Sequence, residues 1–331
     1  TGVPKGILLS AGNVLAEADA TVAGLNLTPE DRILSAVPAF HSYGFDLGVL
    51  ASLRSGACLE LREAFIPRRM LKEMQRPDIS IYLGVPSMYR FFLDTRLDSP
   101  IDLSHIRYPI SCTAPLDPEV IRMFHRKFHA TICQHYGSSE TGGATTHVPG
   151  DVLSRSESVG RAMPGVGIRT VDPDGEELPG ATEGEVVVSG PAVARCYLMG
   201  QSGDHNPLRN GEYLTGDIGR IDSDGYLYVS GRIDKLINVG GLKVSPEEVA
   251  RVLESCPAVR EAAVTGAPDA NNEEAVFAAV TLRSSADEND ILEYCRGRLA
   301  EYKIPRRIDI REEMPRTVTG KIRLRPEDMK P

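Results

Sequence analysis

The sequence predicts an α/β fold: a parallel sheet covered by helices, then a small antiparallel β-rich part, then a compact α+β unit. Three observations carry this. Over residues 10–136 short apolar runs alternate with helix-like stretches, the signature of parallel strands with helical connections. Near residue 155 the texture changes to strand-like runs punctuated by Asp-Pro-Asp-Gly and Asp-Ser-Asp-Gly, tetrads that mark tight turns. After Asp234 helix and strand patterns return in a shorter unit. In order, the first part reads as helix 14–23, strand 32–37, helix 47–53, strand 57–61, helix 70–75, strand 79–83, helix 87–93, strand 108–111, helix 119–128 and strand 131–134. The second part reads as strands 166–171, 184–188 and 226–229; Asp174 and Asp224 there are turn formers rather than metal ligands. The third reads as helix 246–254, strands 259–265 and 275–282, and helix 288–299. The expected parts are 1–154, 155–231 and 232–331, with the boundary at 232–235.

A chain of 331 residues can hold two domains with sizeable cores. A net charge of −9 argues against a nucleic-acid partner, which demands clustered Lys and Arg. No apolar run is long enough to cross a bilayer. The six cysteines form no Cys-x-x-Cys pair and the seven histidines no His-Glu-x-x-His spacing, so no transition metal is expected. Scattered single thiols read as reduced cysteines of a cytoplasmic protein. There are no internal repeats or low-complexity segments.

Five blocks carry the chemistry. The chain opens on Thr1-Gly2-Val3-Pro4-Lys5-Gly6, whose glycines and proline suit a backbone that approaches phosphate closely, with Lys5 adding a cation. It is not a Walker loop, and by itself it could be a surface turn. Tyr136-Gly137-Ser138-Ser139-Glu140-Thr141-Gly142 follows a predicted strand, where parallel sheets place their ligands. Tyr213-Leu214-Thr215-Gly216-Asp217, Gly231-Arg232-Ile233-Asp234-Lys235 and Pro315-Arg316-Thr317-Val318-Thr319-Gly320-Lys321 complete the series.

In that order the five blocks, spread over essentially the whole chain, resemble the adenylate-forming (AMP-binding) superfamily, of the acyl- and aryl-CoA synthetase type. The resemblance implies an AMP-forming acid–thiol ligase. Acid and ATP give acyl-adenylate and pyrophosphate, and CoA or a carrier-protein thiol then takes the acyl group. It implies ATP and Mg²⁺, with the metal on Glu140, because a hard cation with phosphate co-ligands wants carboxylate oxygen. Ser139, where the family usually has Thr, keeps a hydroxyl for a phosphate oxygen. Thr1, Gly2, Lys5 and Gly6 would cradle phosphate. Thr113, Ala114, Pro115, His135, Tyr136 and Gly137 would surround adenine, Tyr136 by stacking unless it is a core tyrosine. Asp217 would accept both ribose hydroxyls, as only a two-oxygen acceptor can do well, with Arg232 nearby. Lys321, a point charge on a long stem, would reach between acid and α-phosphate.

The resemblance also implies a mobile C-terminal lid domain with its hinge at Asp234. Gly240 and Gly241 would line the thiol's approach, where small residues let a slender arm pass near backbone. Lys243 would meet a CoA phosphate or simply stand exposed. In Phe40-His41-Ser42-Tyr43-Gly44, His41 replaces the Asp that holds an ammonium in amino-acid-activating relatives, which disfavours an α-amino acid. His41 would guide the carboxylate unless it is a packed histidine. With His41 and Gly137, Cys112 and His135 would line the acyl pocket. The added side chains at 112 and 135 predict a shortened or more polar recess for short, branched or aromatic acids, unless they point away.

The alternatives are a fatty acyl-AMP ligase or an adenylation domain serving a carrier protein. Another class is a nucleotide-binding fragment without turnover. Relatives carry a Ser/Thr/Gly run and a whole segment before the first block, so the large domain is expected to be incomplete. Its apolar surface would then favour self-association or a complementing N-terminal segment.

Overall fold

A computed structural model of the chain describes residues 6–198, 206–269, 274–316, 322 and 324–329. The chain divides into two compact units, residues 1–215 with 219–229, and residues 216–218 with 230–331.

In the first unit, β1 (Ile7–Leu8) leads into helix α1 (Ala11–Gly24). Ser10 and Asn13 cap α1 reciprocally: Ser10 Oγ accepts the Asn13 amide at 3.2 Å, and Asn13 Oδ1 accepts the Ser10 amide at 2.9 Å. The chain continues through β2 (Arg32–Ser35), a π-helical segment Gly44–Leu50 that runs into α2 (Ala51–Ser55), and β3 (Cys58–Leu61). Next come α3 (Pro67–Met74), β4 (Ile81–Gly84), α4 (Pro86–Asp94), β5 (Tyr108–Ser111) and α5 (Pro118–Phe128). Proline opens α3, α4 and α5 at the position where its missing N–H costs nothing. β6 (Cys133–Ser138), β7 (Gly142–Thr146) and β8 (Arg161–Ala162) complete a seven-stranded sheet of order β3-β2-β4-β5-β6-β7-β8.

The five strands from β3 to β6 in that order are parallel, as the alternating runs predict, and β7 and β8 extend the sheet antiparallel. Ile33, Leu34, Ile81, Leu83 and Ile110 are buried, since helices cover both faces. An aromatic cluster fills the interior, with Tyr89 edge-on to Tyr82 at 5.8 Å and to Phe124 at 5.3 Å. Strand order reverses between β2's two neighbours, so the crevice of an open α/β sheet lies beyond the carboxyl ends of β2 and β4.

Two expectations are corrected here. The helix read over 47–53 starts earlier and is π-wound before it becomes α-helical. Gly44 makes that start possible, because a Cβ there would lie 2.4 Å from the Pro38 carbonyl oxygen. Tyr136 does not follow a strand that ends at 134: β6 runs on to Ser138 and shifts register between Tyr136 and Gly137, which keeps the tyrosine within the strand.

The rest of the first unit holds β9 (Gly167–Val171), β10 (Gly184–Ser189), β11 (Cys196–Tyr197), β12 (Leu208–Arg209), β13 (Glu212–Ile221) and β14 (Leu227–Arg232), the last two running into the second unit. A five-stranded sheet orders them β12-β13-β10-β9, with β14 on β13, while β11 pairs instead with β1. The tetrads are Asx turns. Asp172 Oδ1 accepts the amides of Asp174 and Glu176, and Asp222 Oδ1 those of Asp224 and Tyr226.

The second unit adds the hairpin β15 (Ile237–Val239) and β16 (Leu242–Val244), then α6 (Pro246–Ser255), β17 (Val259–Pro268), β18 (Glu274–Leu282), α7 (Glu288–Arg296) and β19 (Arg307–Ile310). β17 and β18 are antiparallel, and β19 adds parallel to β18. Val249, Leu253, Val276, Ala278, Val280 and Ile291 form its core.

Candidate active site

Within the first unit the structure gathers several predicted residues around the β6–β7 turn. Glu140 sits in that turn. Its carbonyl accepts the Ala194 amide at 2.7 Å, and its Oε1 accepts the Tyr197 phenol at 2.8 Å. Ser139 is exposed, and its Oγ lies 3.3 Å from Ser42 Oγ, which brings the turn against the segment that carries His41. Gly137 has no room for a side chain, since a Cβ would lie 2.2 Å from the Gly142 oxygen. Ser138 and Thr141 tie the turn internally through a 3.1 Å contact between their hydroxyls.

His41 is half-buried, and burial lowers its pKa. Its Nδ1 accepts the Tyr43 amide at 3.3 Å, which leaves Nε2 as the nitrogen that carries hydrogen in the neutral ring. His135 is buried and stacked on Tyr43 at 6.4 Å. Burial pushes its pKa down to about 4, so it is neutral at physiological pH. Among the described residues its Nδ1 has no hydrogen-bond partner. Cys112, whose thiol burial pushes up to about 12, follows β5, the neighbour of β6. Thr113, with φ of +79°, continues the turn through Ala114 and Pro115 at the carboxyl end of β5. Tyr136 is half-buried and packs against Ala144, Val186, Val188 and Leu227. Gly6 is the one described residue of the opening block, and its carbonyl accepts the Leu198 amide at 2.7 Å. Thr1, Gly2 and Lys5 lie outside the described residues, as does Lys321.

Sequence reasoning missed two acids beneath the turn. Glu17 on α1 is buried; its Oε1 accepts the Thr21 hydroxyl at 3.2 Å, the Gly143 amide lies close to the carboxylate, and Oε2 has no hydrogen-bond partner among the described residues. Desolvation, reinforced by nearby Asp46, pushes its pKa up to about 7. Asp46 on the π-helical segment, close to both Glu17 and Cys112, is pushed up to about 6 by the same burial. An amphipathic helix gives no signal for a buried glutamate. Asn13 was missed as well: its Nδ2 donates to the carbonyls of Pro191 at 2.7 Å and Val193 at 2.9 Å. The capping pattern Ser10-x-x-Asn13 was its available signal. An open cleft of about 370 Å³ beside Asn13, Val193 and Arg209 contains none of the predicted residues.

In the second unit Arg232 joins two predicted residues. It donates from Nη1 to Asp217 Oδ1 at 3.2 Å and from Nε to Asp234 Oδ1 at 2.8 Å. That guanidinium holds the Asp234 carboxyl below the usual range. Gly240 and Gly241 form the tip of the β15–β16 hairpin with φ of +57° and +88°, the backbone that a two-residue turn of this hand requires. Lys243 is exposed on β16.

Among the described residues no three His, Cys, Asp or Glu side chains could hold an ion by themselves. One partly exposed carboxylate beside hydroxyl groups does fit Mg²⁺, which keeps phosphate and water ligands and takes one or two carboxylates.

A parallel sheet with its turns gathered at the carboxyl ends, and a glycine-tight acidic turn among them, place the candidate site where open α/β folds bind their ligands. The chain belongs to the AMP-binding enzyme family, whose model matches residues 1–198, and the family's C-terminal domain matches residues 248–321. It is 33% identical over 327 residues to an indoleacetate–CoA ligase of Aromatoleum aromaticum, covering 98% of this chain and 64% of that protein. Among solved structures it resembles ATP-bound MatB from Rhodopseudomonas palustris, with a TM-score of 0.87, 30% identity, and 97% and 64% of the two chains covered. The o-succinylbenzoate CoA synthetase of Bacillus subtilis, in complex with ATP and magnesium ion, gives 0.85 at 30% identity over 97% of this chain and 66% of that one. The chain thus spans about two thirds of the length of these relatives, slightly less for the first two.

Proposed function

We propose that the chain carries the machinery of an AMP-forming acid–CoA ligase. The observation that carries the reading is the Glu140 turn, closed by glycines, fixed by Tyr197 and Ala194, and set against the His41 segment. A carboxylate oxygen of the acid attacks the α-phosphorus of ATP and pyrophosphate leaves. The thiol of CoA then attacks the acyl carbon and AMP leaves. Mg²⁺ on Glu140 would neutralise charge on the phosphates. Gly6 with Thr1, Gly2 and Lys5 would meet phosphate, Ser139 a phosphate oxygen, and Thr113–Pro115 with Tyr136 the adenine. Asp217, oriented by Arg232, would take the ribose hydroxyls, and Lys321 would stabilise the developing charge. Asp234 is the proposed hinge of a three-part organisation, 1–154, 155–231 and 232–331. Gly240, Gly241 and Lys243 are assigned to the thiol arm.

Glu17 and Asp46 favour the polar version of the acyl recess lined by His41, Cys112, His135 and Gly137, since they stand beside its predicted wall. Ionised, they repel a second carboxylate on the substrate, which leaves short, branched or aromatic monoacids. All six cysteines are free, the state a reducing cytoplasm maintains. No described helix is long and apolar enough to cross a membrane. Phe40 and Leu53, 84% and 78% exposed, are the apolar surface on which association with a copy or a further segment would rest.

The test is carboxylate-dependent ATP–pyrophosphate exchange over a panel of acids, with Lys321→Ala as control. Exchange that needs one class of acid and vanishes in the variant supports the reading. ATP binding without exchange for any acid refutes it in favour of a nucleotide-binding chain without turnover.

A further inference from the structure

The short ladder between β1 and β11 has a chemical consequence. β11 comprises two residues, Cys196 and Tyr197, and it pairs with neither large sheet. Its partner is β1, with Ile7 opposite Tyr197 and Leu8 opposite Cys196. Bonds on both sides extend the pairing: the Arg195 amide donates to Leu8 at 3.1 Å, and the Leu198 amide to Gly6 at 2.7 Å. β1 follows directly on the opening glycine block. The same segment reaches Glu140 twice, through the Ala194 amide on its carbonyl and through the Tyr197 phenol on Oε1 at 2.8 Å. Asn13 anchors the segment from α1 through the carbonyls of Pro191 and Val193, and Tyr213 hydrogen-bonds the Tyr197 phenol.

We propose that Tyr197 is a positioning residue for the metal carboxylate, holding Glu140 Oε1 so that Oε2 is presented to the divalent cation. The proposal rests on the reading of Glu140 as that carboxylate. A glutamate in a partly exposed turn has three side-chain torsions to fix before it can ligate an ion. A phenol donating to one oxygen fixes the carboxylate plane in advance, and pairing to β1 sets that plane in register with the strand that follows the phosphate-binding block. A phenol suits this task because, with an ordinary pKa of about 10, it remains a donor throughout the neutral range. Groups that orient a metal ligand in this way commonly change metal affinity by tenfold or more when removed.

The experiment uses the whole chain with Mn²⁺ as the probe. Free Mn²⁺ is followed by electron paramagnetic resonance at saturating ATP, and ATP affinity is measured separately in chelator. Tyr197→Phe keeps the ring and the ladder. It is expected to raise the Mn²⁺ dissociation constant about tenfold while ATP affinity without metal stays unchanged. Tyr213→Phe, which leaves Tyr197 in place, is expected to raise it about threefold. In the parent chain, Mn²⁺ binding should also perturb tyrosine absorbance, and Tyr197→Phe should abolish that change.

Glu140→Gln separates the two levels of the argument. If it loses Mn²⁺ binding while Tyr197→Phe binds as the parent does, the positioning role is overturned alone. If Glu140→Gln binds as the parent does, or the parent shows no saturable Mn²⁺ binding with ATP, the metal reading of Glu140 falls and this proposal with it. A Tyr197→Phe chain that loses ATP affinity in chelator to the same extent also overturns it, since the tyrosine would then be supporting the fold.

Discussion

Replacing Glu17 by Gln should stabilise the protein, and only above about pH 6. The glutamate is 4% exposed, and burial raises its pKa from 4.5 to about 7. A carboxyl with a raised folded-state pKa binds its proton more tightly in the native state. The native state is therefore favoured below the unfolded pKa, and that advantage is lost as pH rises through about 7. A shift of this size corresponds to roughly 3 kcal/mol at alkaline pH. Gln keeps an oxygen for the Gly143 amide and the Thr21 hydroxyl, but it adds a buried N–H₂ that needs acceptors, so the net gain at pH 8 is about 1–2 kcal/mol. At pH 5 both side chains are neutral in the folded protein, and the difference should shrink to within about 0.5 kcal/mol of zero or change sign. Urea unfolding at the two pH values, followed by near-ultraviolet circular dichroism, reads this directly. The chain has no tryptophan, so its tyrosines, among them the buried Tyr43, Tyr82, Tyr89 and Tyr226 of the same unit, carry the signal. Equal stability differences at pH 5 and pH 8 would refute the argument, because the glutamate would then titrate alike in the folded and unfolded chain.

Three further outcomes are expected. Tyr43 and Tyr89 both donate to the Ile110 carbonyl, at 3.0 and 2.8 Å. Either single Phe variant should cost about 1 kcal/mol, and the double variant more than their sum because it strands a buried acceptor; a urea double-mutant cycle measures this. Gly137→Ala would force a Cβ against the Gly142 oxygen and displace the turn that carries Glu140, so Mn²⁺-dependent ATP binding should fall at least tenfold by equilibrium dialysis. Asp217→Asn removes the charge that Arg232 meets and leaves one acceptor oxygen in place of two, so ATP affinity should fall about tenfold while the affinity for inorganic pyrophosphate is unchanged.

The parallel sheet was legible because each strand is a short apolar run buried on both faces, and such runs separated by helix-length segments admit few other arrangements. The β1–β11 ladder was not legible. Two residues carry no periodicity, and the partner strands stand nearly the whole first unit apart in sequence. For the same reason Glu140 was found from its motif while Tyr197 was missed, since a tyrosine gains meaning here only from the carboxylate it meets. Glu17 was missed because a glutamate on a helix reads as solvated. It is buried because Gly142 and Gly143 let the turn descend onto α1, a fact of tertiary packing. Lys321 and Lys5 belong to blocks that were legible as motifs, and the two lysines themselves lie outside the described residues.

Glycine serves two different ends in this chain, and the distinction bears on how the candidate site works. At the β15–β16 tip, Gly240 and Gly241 have nothing within 4 Å of where a side chain would go, so they are required for their positive φ. The small residues there already have a sufficient reason in the turn, before any thiol arm is considered. Around Glu140 the reason is proximity, joined at Gly142 by a φ of +65°. A Cβ would lie 2.2 Å from backbone oxygen at Gly137, 2.1 Å from Glu17 Oε2 at Gly142, and 2.6 Å from the His135 ring at Gly143. A stretch that composition alone would describe as flexible is packed without spare volume against α1, β6 and its own return strand. A carboxylate held on such a turn, and clamped again by a phenol, needs little reorganisation when a charged ligand arrives, which is the condition under which fixed dipoles and ligands stabilise charge most effectively.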